Sequence, residues 1–300
     1  MSHSAPRSVQ HASDDPRTFV LDTDIGTDVD DLLALSMILG SPSLNVAAIT
    51  TVYGDVALRA RIVAKAYSVA GIAAPPIAPG LAQTLSGREV WWPGHEGSTI
   101  ADLDAQTYAS PETALELLAG SATIAAIGPL TNIAAAVAQP GHRIEQVLIM
   151  GGEFDRGIVE HNIRCDITAA DELFRSGVPV LAVGLEQTER VRLGRAELDR
   201  IGVAGPLGEM VSAEMRRFWD FASQDYNVPH DPIAVLTLAR PDLFEVARGI
   251  VTVHAEGVTT FTPDVDGPHS IVVDTDVDAV AAEIIERILA AAAVGAPTQS

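Results

Sequence analysis

Five aspartates fall within ten residues, Asp22, Asp24, Asp28, Asp30 and Asp31, in the run DTDIGTDVDD. One apolar stretch, Thr18–Leu21, precedes the run and another, Leu32–Leu35, follows it. This framing predicts a strand that delivers the acids to a turn, with a helix starting at Asp30 or Asp31. The run itself contains no Lys or Arg. Carboxylates converging at a strand end would repel one another unless a cation sat among them, and Ca²⁺ and Mg²⁺ prefer several carboxylate oxygens. Gly26 permits a tight turn after the strand, and acids in a first helical turn suit the macrodipole. Consecutive helical residues point about 100° apart. One of Asp30 and Asp31 can therefore reach a metal while the other reaches a ligand beside it. Capping accounts for one or two of these acids, not for five.

Three further segments carry candidate chemistry. In Pro229-His230-Asp231-Pro232, the proline suits the first position of a helix and Asp231 then becomes its N-cap. A His beside an Asp at a helix start could equally donate a proton and help bind a cation. The segment Ile127-Gly128-Pro129-Leu130-Thr131-Asn132 is either an ordinary strand-to-helix turn or one that leaves a carbonyl free for Ca²⁺. Gly151-Gly152 is followed by Glu160-His161-Asn162, in which the Glu and the Asn could both hydrogen-bond a polyhydroxylated ligand. A fourth segment is a decoy: Asp274, Asp276 and Asp278 lack the glycine and the paired acids, and helix capping is the simpler use.

These residues need a frame to bring them together. Thr18–Leu21, Val46–Thr50, Thr123–Ile127, Gln146–Met150 and Val178–Val183 read as buried strands. Asp30–Leu39, Leu58–Ala70, Pro111–Leu118, Asn132–Ala138 and Ala169–Ser176 read as helices. The βαβα order predicts an α/β fold, an open, Rossmann-like and mainly parallel sheet flanked by helices. Ligands of such sheets sit beyond the carboxyl ends of the strands, and each candidate segment lies just after a strand or at a helix start. Past Gly194 the pattern predicts helices at Glu209–Ser223, Pro232–Ala239 and Asp278–Ala292, and a small antiparallel addition from Val246–Val253, Val258–Phe261 and Ser270–Val273. The expected organisation is a disordered arm over residues 1–17 and a single domain over residues 18–295. The loop-like stretch Ser86–Thr99 carries Trp91, Trp92 and His95 and suits a lid or a protein contact.

Composition narrows the partners. The formal net charge is −21, from nineteen basic and forty acidic residues, so a phosphate backbone finds no basic face and nucleic acid is excluded as a partner. A single cysteine, Cys165, rules out an internal disulfide and a Cys-based zinc site. No apolar run reaches the roughly 18 residues of a membrane span, and the polar first 17 residues lack a signal peptide's apolar centre. No membrane association and a cytoplasmic location are the expectation.

Taken together, these segments resemble the inosine–uridine-preferring nucleoside hydrolase family. DTDIGTDVDD resembles its N-terminal aspartate signature, and TTVYGD (50–55), GPLTNIA (128–134), MGG (150–152) and HDPIAV (230–235) follow in the family's order. The resemblance runs from about Phe19 to the C-terminal helix. It implies Ca²⁺-dependent hydrolysis of the N-glycosidic bond of ribonucleosides to base and ribose, through an oxocarbenium-like transition state. By position, Asp24, Asp31 and Asp231 would bind Ca²⁺ through side chains and Ile127 through its carbonyl. Asp30 would hold the ribose 2′-hydroxyl, Asn162 and Glu160 the 3′ and 5′ side, and His230 would sit near the leaving base. Asp24 would also take the proton of the attacking water held by the cation. The resemblance further implies a homo-oligomer, a dimer or a tetramer.

This chain departs from the family in two places. Asp55 stands where many members carry Asn at a substrate-binding position. The segment between Gly152 and Glu160 is short and holds Arg156 instead of an Asn, which predicts altered recognition at the 5′ end, with a charged group as one candidate. For the base, His95, Trp219 and Tyr226 join the two loop tryptophans as stacking candidates, and core packing serves them equally well. Two other classes compete. A haloacid-dehalogenase-like phosphatase would use Asp22 as nucleophile with Mg²⁺, but its downstream lysine is poorly matched, since Lys65 is the only lysine in the chain. A Ca²⁺-stabilised ribosyl-binding protein without catalysis would share the fold. An EF-hand does not fit, because Leu33 stands where its twelfth-position Glu is needed.

Overall fold

The computed structural model describes residues 16–294. Its strands are β1 (Arg17–Thr23), β2 (Leu44–Thr51), β3 (Ile77–Pro79), β4 (Thr123–Ala126), β5 (Gln146–Met150), β6 (Val180–Val183), β7 (Phe244–Val253), β8 (Thr259–Pro263) and β9 (His269–Thr275). The helices are α1 (Asp30–Leu39), α2 (Val56–Ala70), α3 (Ala114–Ala119), α4 (Thr131–Val137), α5 (His161–Cys165), α6 (Ile167–Arg175), α7 (Leu185–Thr188), α8 (Arg195–Gly202), α9 (Pro206–Ala222), α10 (His230–Ala239) and α11 (Val277–Val294). The strands form one sheet in the order β3-β2-β1-β4-β5-β6-β9-β7-β8. Every pairing from β3 to β9 is parallel, and β7 pairs antiparallel with both β9 and β8. The mainly parallel α/β fold expected from the sequence is the fold observed.

Alternation along the inner strands builds two cores. Phe19, Leu21, Leu148 and Met150 face one core together with α1, α2, α10 and α11. Val20, Val147 and Ile149 face the other with α4 and α6. Side chains with a period of two on a sheet covered on both faces leave no polar side, so these strands read as continuous apolar runs.

Several expectations are corrected. β9 is not purely part of an antiparallel addition: it runs parallel to β6 and is the seam between the two parts of the sheet. The helix expected from Pro111 starts at Ala114, where the Thr113 side chain caps it and Glu116 completes a capping box. α10 begins at His230, so Asp231 lies inside its first turn and is not the N-cap. The short elements β3, α5, α7 and α8 were not expected. Asp276 does cap its helix, accepting from Ala279 N at 3.2 Å. The arm expected over residues 1–17 falls outside the described residues except for Pro16 and Arg17, and Arg17 already opens β1. No described helix is long and apolar enough to cross a membrane.

Candidate active site

Beyond the carboxyl ends of the parallel strands lies a cavity of about 420 Å³. Asp24, Asp28, Asp30 and Asp31 reach it from the β1–α1 loop and α1, Ile127 from the end of β4, Glu160, His161 and Asn162 from α5 and its start, and His230 and Asp231 from α10. α1 and α5 follow β1 and β5, and Ile127 follows β4, whereas α10 is reached from β6 by way of α7, α8 and α9.

The β1–α1 loop is built to aim its acids. Asp22 does not reach the cavity. Its buried carboxylate accepts from Thr50 Oγ1 at 2.5 Å and Asn132 Nδ2 at 2.7 Å, tying β1 to β2 and α4. Burial pushes its pKa up to about 7. Gly26 turns the chain at φ +122°, and a Cβ there would meet Ile62 Cδ1 at 2.8 Å. The Thr23 hydroxyl donates to Asp31, and Ile25 N donates back to Thr23 Oγ1 at 3.1 Å. From the far side, Arg217 on α9 donates to the carbonyls of Gly26 and Thr27, each at 3.3 Å.

One oxygen each of Asp30, Asp31 and Asp231 lies within 4.8 Å of the other two, and all three residues are buried. Burial, followed by repulsion from the neighbouring acids, pushes the pKa of each far above the carboxylate range. Asp24 is raised by burial as well, but Arg59 opposes the shift. The Arg59 Nη2 lies 3.8 Å from Asp24 Oδ2, with the arginine fully buried and the aspartate 13% exposed. A converging set of buried oxygens whose mutual repulsion a cation would relieve is a donor set that fits a hard divalent ion. Against the expected ligands, Asp31 and Asp231 belong to this compact group and Asp30 is its third member, while Asp24 lies beside it.

The α5 wall is held by its own cap. Glu160 accepts from the backbone N–H groups of Asn162 at 2.8 Å and Ile163 at 3.0 Å, and burial raises its pKa. Asn162 Nδ2 donates to the carbonyls of Ile127 and Met150, at 3.3 and 3.2 Å. With its amide N–H groups so engaged, its Oδ1 has no hydrogen-bond donor among the described residues. The His230 Nδ1 sits 2.7 Å from the Thr188 hydroxyl, and burial depresses its pKa to about 4.

Of the remaining candidates, all but Trp91 lie outside the cavity's lining. Asp55 is exposed and caps α2, accepting from Leu58 N at 2.8 Å. Trp219 donates from Nε1 to Asn227 Oδ1 at 2.6 Å, and Tyr226 lies under the Arg192 guanidinium at 4.5 Å. His95 sits one layer behind, with Nε2 2.9 Å from the Thr27 carbonyl and its ring packed edge-on against Phe221 at 4.4 Å. Trp92 stacks beneath Arg59, whereas Trp91 lines the cavity. Arg156 is engaged by Glu153 and Glu189 away from the cavity. The residues that sequence reasoning passed over are Phe218, Phe221, His161 and Arg164. The i, i+3 pair of phenylalanines on α9 was a signal in plain view, since such a pair shares one helix face.

A mainly parallel sheet whose strand ends present a carboxylate-floored cavity defines an α/β protein with its ligand site at the usual edge of such a sheet. The chain belongs to the inosine-uridine preferring nucleoside hydrolase family, whose model matches residues 19–282. It is 30% identical over 266 residues to uridine nucleosidase 1 of Arabidopsis thaliana, covering 80% of this chain and 79% of that one. It is 31% identical over 261 residues to a non-specific ribonucleoside hydrolase of Klebsiella pneumoniae, covering 80% and 85%. Among solved structures, a plant nucleoside hydrolase superposes with a TM-score of 0.78 at 28% identity over 91% of this chain and 99% of that one. A purine-preferring ribonucleoside hydrolase from Gardnerella vaginalis gives 0.79 at 26% identity over 93% and 100%. The protein is an N-glycosyl hydrolase of this family, which sets aside the phosphatase reading. Asp22, the nucleophile that reading requires, is fully buried.

Proposed function

We propose that this enzyme hydrolyses the N-glycosidic bond of ribonucleosides with Ca²⁺ seated on Asp30, Asp31 and Asp231, beside Asp24 and the Ile127 carbonyl. The observation that carries the reading is the cluster of three buried carboxylates, drawn from α1 and α10, on the floor of a cavity that also presents Asn162 and Glu160. A divalent cation held by these residues would neutralise the acids, orient the sugar diol and make water easier to deprotonate.

The chain's own residues supply the rest. Asp24, which Arg59 biases toward its anionic form, accepts the water's proton. Asp30 accepts from the 2′-hydroxyl, Asn162 Oδ1 from a second hydroxyl, and Glu160 borders the 5′ side. The anionic floor stabilises positive charge as it develops on the ribose ring. Phe218, Phe221 and Trp91 offer apolar faces to the base. His230, held by Thr188, stands at the α10 edge, on the leaving-group side.

Reducing-sugar release over a panel of ribonucleosides, with and without chelator and with Ca²⁺ restored, tests the proposal. Release that needs Ca²⁺ is the expected result, and nucleoside binding without any release would overturn it. A cytoplasmic homodimer or homotetramer belongs to the same reading, and light scattering of the purified protein checks the assembly.

A further inference from the structure

Beside the active-site cavity lies a second chamber of about 370 Å³, and the two share Trp91, His161 and Arg164 as lining residues. The chamber differs in charge from its surroundings. Arg88 and Arg164 both line it, and among the described residues neither has a carboxylate within ion-pair distance. Glu89 is the single acid in the chamber's lining. In a chain of net charge −21 this is a local reversal.

The guanidiniums are steadied but not used up. Arg88 Nη1 donates to the Arg164 carbonyl at 3.2 Å. Arg164 Nη2 lies 3.2 Å from His161 Nδ1, and since arginine can only donate, that nitrogen is the acceptor. His161 Nε2 then carries the proton and faces Cys165 Sγ at 3.4 Å. Both arginines keep N–H groups to offer, in the planar forked geometry that suits phosphate oxygens.

Position relates the chamber to the sugar. A ribose with its diol on Asp30, Asp31 and Asp231 has two lateral walls to address. The α9 wall is apolar, with Phe218 and Phe221, and suits a planar base. The α5 wall is polar and leads past His161 to Arg164. With a base against the α9 wall, the α5 wall is left for the exocyclic carbon of the sugar, on the side where Arg164 lines both cavities.

We infer that this chamber receives the phosphate of a nucleoside 5′-monophosphate, so that the enzyme also releases base from nucleotides. The inference rests on the hydrolase reading above and deepens it. The reaction balances as it does for a nucleoside. The C1′–N bond breaks and a C1′–O bond to water forms. Of the two water protons, one stays on the anomeric hydroxyl and one goes to the base, leaving ribose 5-phosphate.

The test compares kcat/KM for uridine and inosine with that for their 5′-monophosphates, in wild type, Arg164→Gln, Arg164→Lys and Arg88→Gln. We expect wild type to cleave the monophosphates at least as well as the nucleosides. Arg164→Gln should lower the monophosphate-to-nucleoside ratio at least about 10-fold, as loss of a charge-assisted contact does, with Lys restoring part of it. Arg88→Gln, on a different segment, should act in the same direction. An unchanged ratio in both Gln variants, or cleavage of nucleosides alone, overturns the inference. If no ribosyl compound is turned over, the hydrolase reading fails. Calorimetry of ribose 5-phosphate against ribose then decides the chamber by itself: a preference for the phosphate that Arg164→Gln abolishes supports it, and equal binding refutes it.

Discussion

The Arg59 guanidinium, with none of its surface exposed, lies 3.8 Å from the Asp24 carboxylate and holds the loop that carries it. Nη1 donates to the Ile25 carbonyl at 2.8 Å and Nε to that of Tyr53 at 2.7 Å. One buried cation thus fixes the acid loop and offsets part of the charge that gathers there. Removing it strands two carbonyls and an anion together. Arg59→Met is therefore expected to cost at least about 3 kcal/mol, the scale of breaking a buried charge pair. Urea denaturation measures this, and a loss below about 1 kcal/mol, the level of an exposed pair, would refute it.

Asp24 stands beside the three-carboxylate group while lining the same cavity, a placement suited to a base. Asp24→Asn should lower kcat at least about 100-fold, the low end of general-base effects. Calcium binding, followed by calorimetry, should survive the substitution in some measure. A variant that binds Ca²⁺ and turns over near the wild-type rate would remove Asp24 from that role.

Because Asp30, Asp31 and Asp231 repel one another when bare, the folded state should gain stability from Ca²⁺. Binding to the native state alone adds about 2.7 kcal/mol when free cation reaches 100 times its dissociation constant. A melting temperature that rises with Ca²⁺ and returns on chelation is expected. Asp231→Ala should flatten that response. A full Ca²⁺ response in the variant would place the ion elsewhere.

Far from the site, His269 on β9 is buried, and its Nδ1 accepts from Val251 N at 2.9 Å. Burial holds its pKa below the ordinary histidine value. The unfolded chain takes up the proton at about pH 6.5 while the native state resists it. The stability His269 contributes is therefore present above that value and is lost as pH falls through the lower, folded one. Between about pH 7 and about pH 5, His269→Gln should show a shallower decline in unfolding free energy than wild type. Parallel declines would mean that other groups carry the acid sensitivity.

Much of this was readable in one dimension. The inner strands are apolar on both faces, so Thr18–Leu21 and Gln146–Met150 announce themselves. The five acids announce themselves by sitting between a strand and a helix. Helix phase was less legible. Trp219 was one candidate partner for a base, but α9 turns it toward Asn227 and gives the cavity Phe218 and Phe221. Adjacent residues on a helix point far apart, and only packing against the acid loop, through Arg217, sets which face looks inward. Arg156 is likewise engaged elsewhere, held by Glu153 three residues away and by Glu189, which is remote in sequence.

The order of residue types along the chain determined the α/β alternation, the acid-bearing turn and the family, because these depend on local periodicity and on short contiguous motifs. Tertiary structure alone decided that Asp30 completes the compact group with Asp31 and Asp231, that β9 runs parallel to β6, and that Arg164, without an ion-pair partner among the described residues, lines the carboxylate-rich cavity. Those facts arise where segments remote in sequence meet, and pairing across that distance is set by the packing of the whole sheet and its helices, which no local pattern encodes.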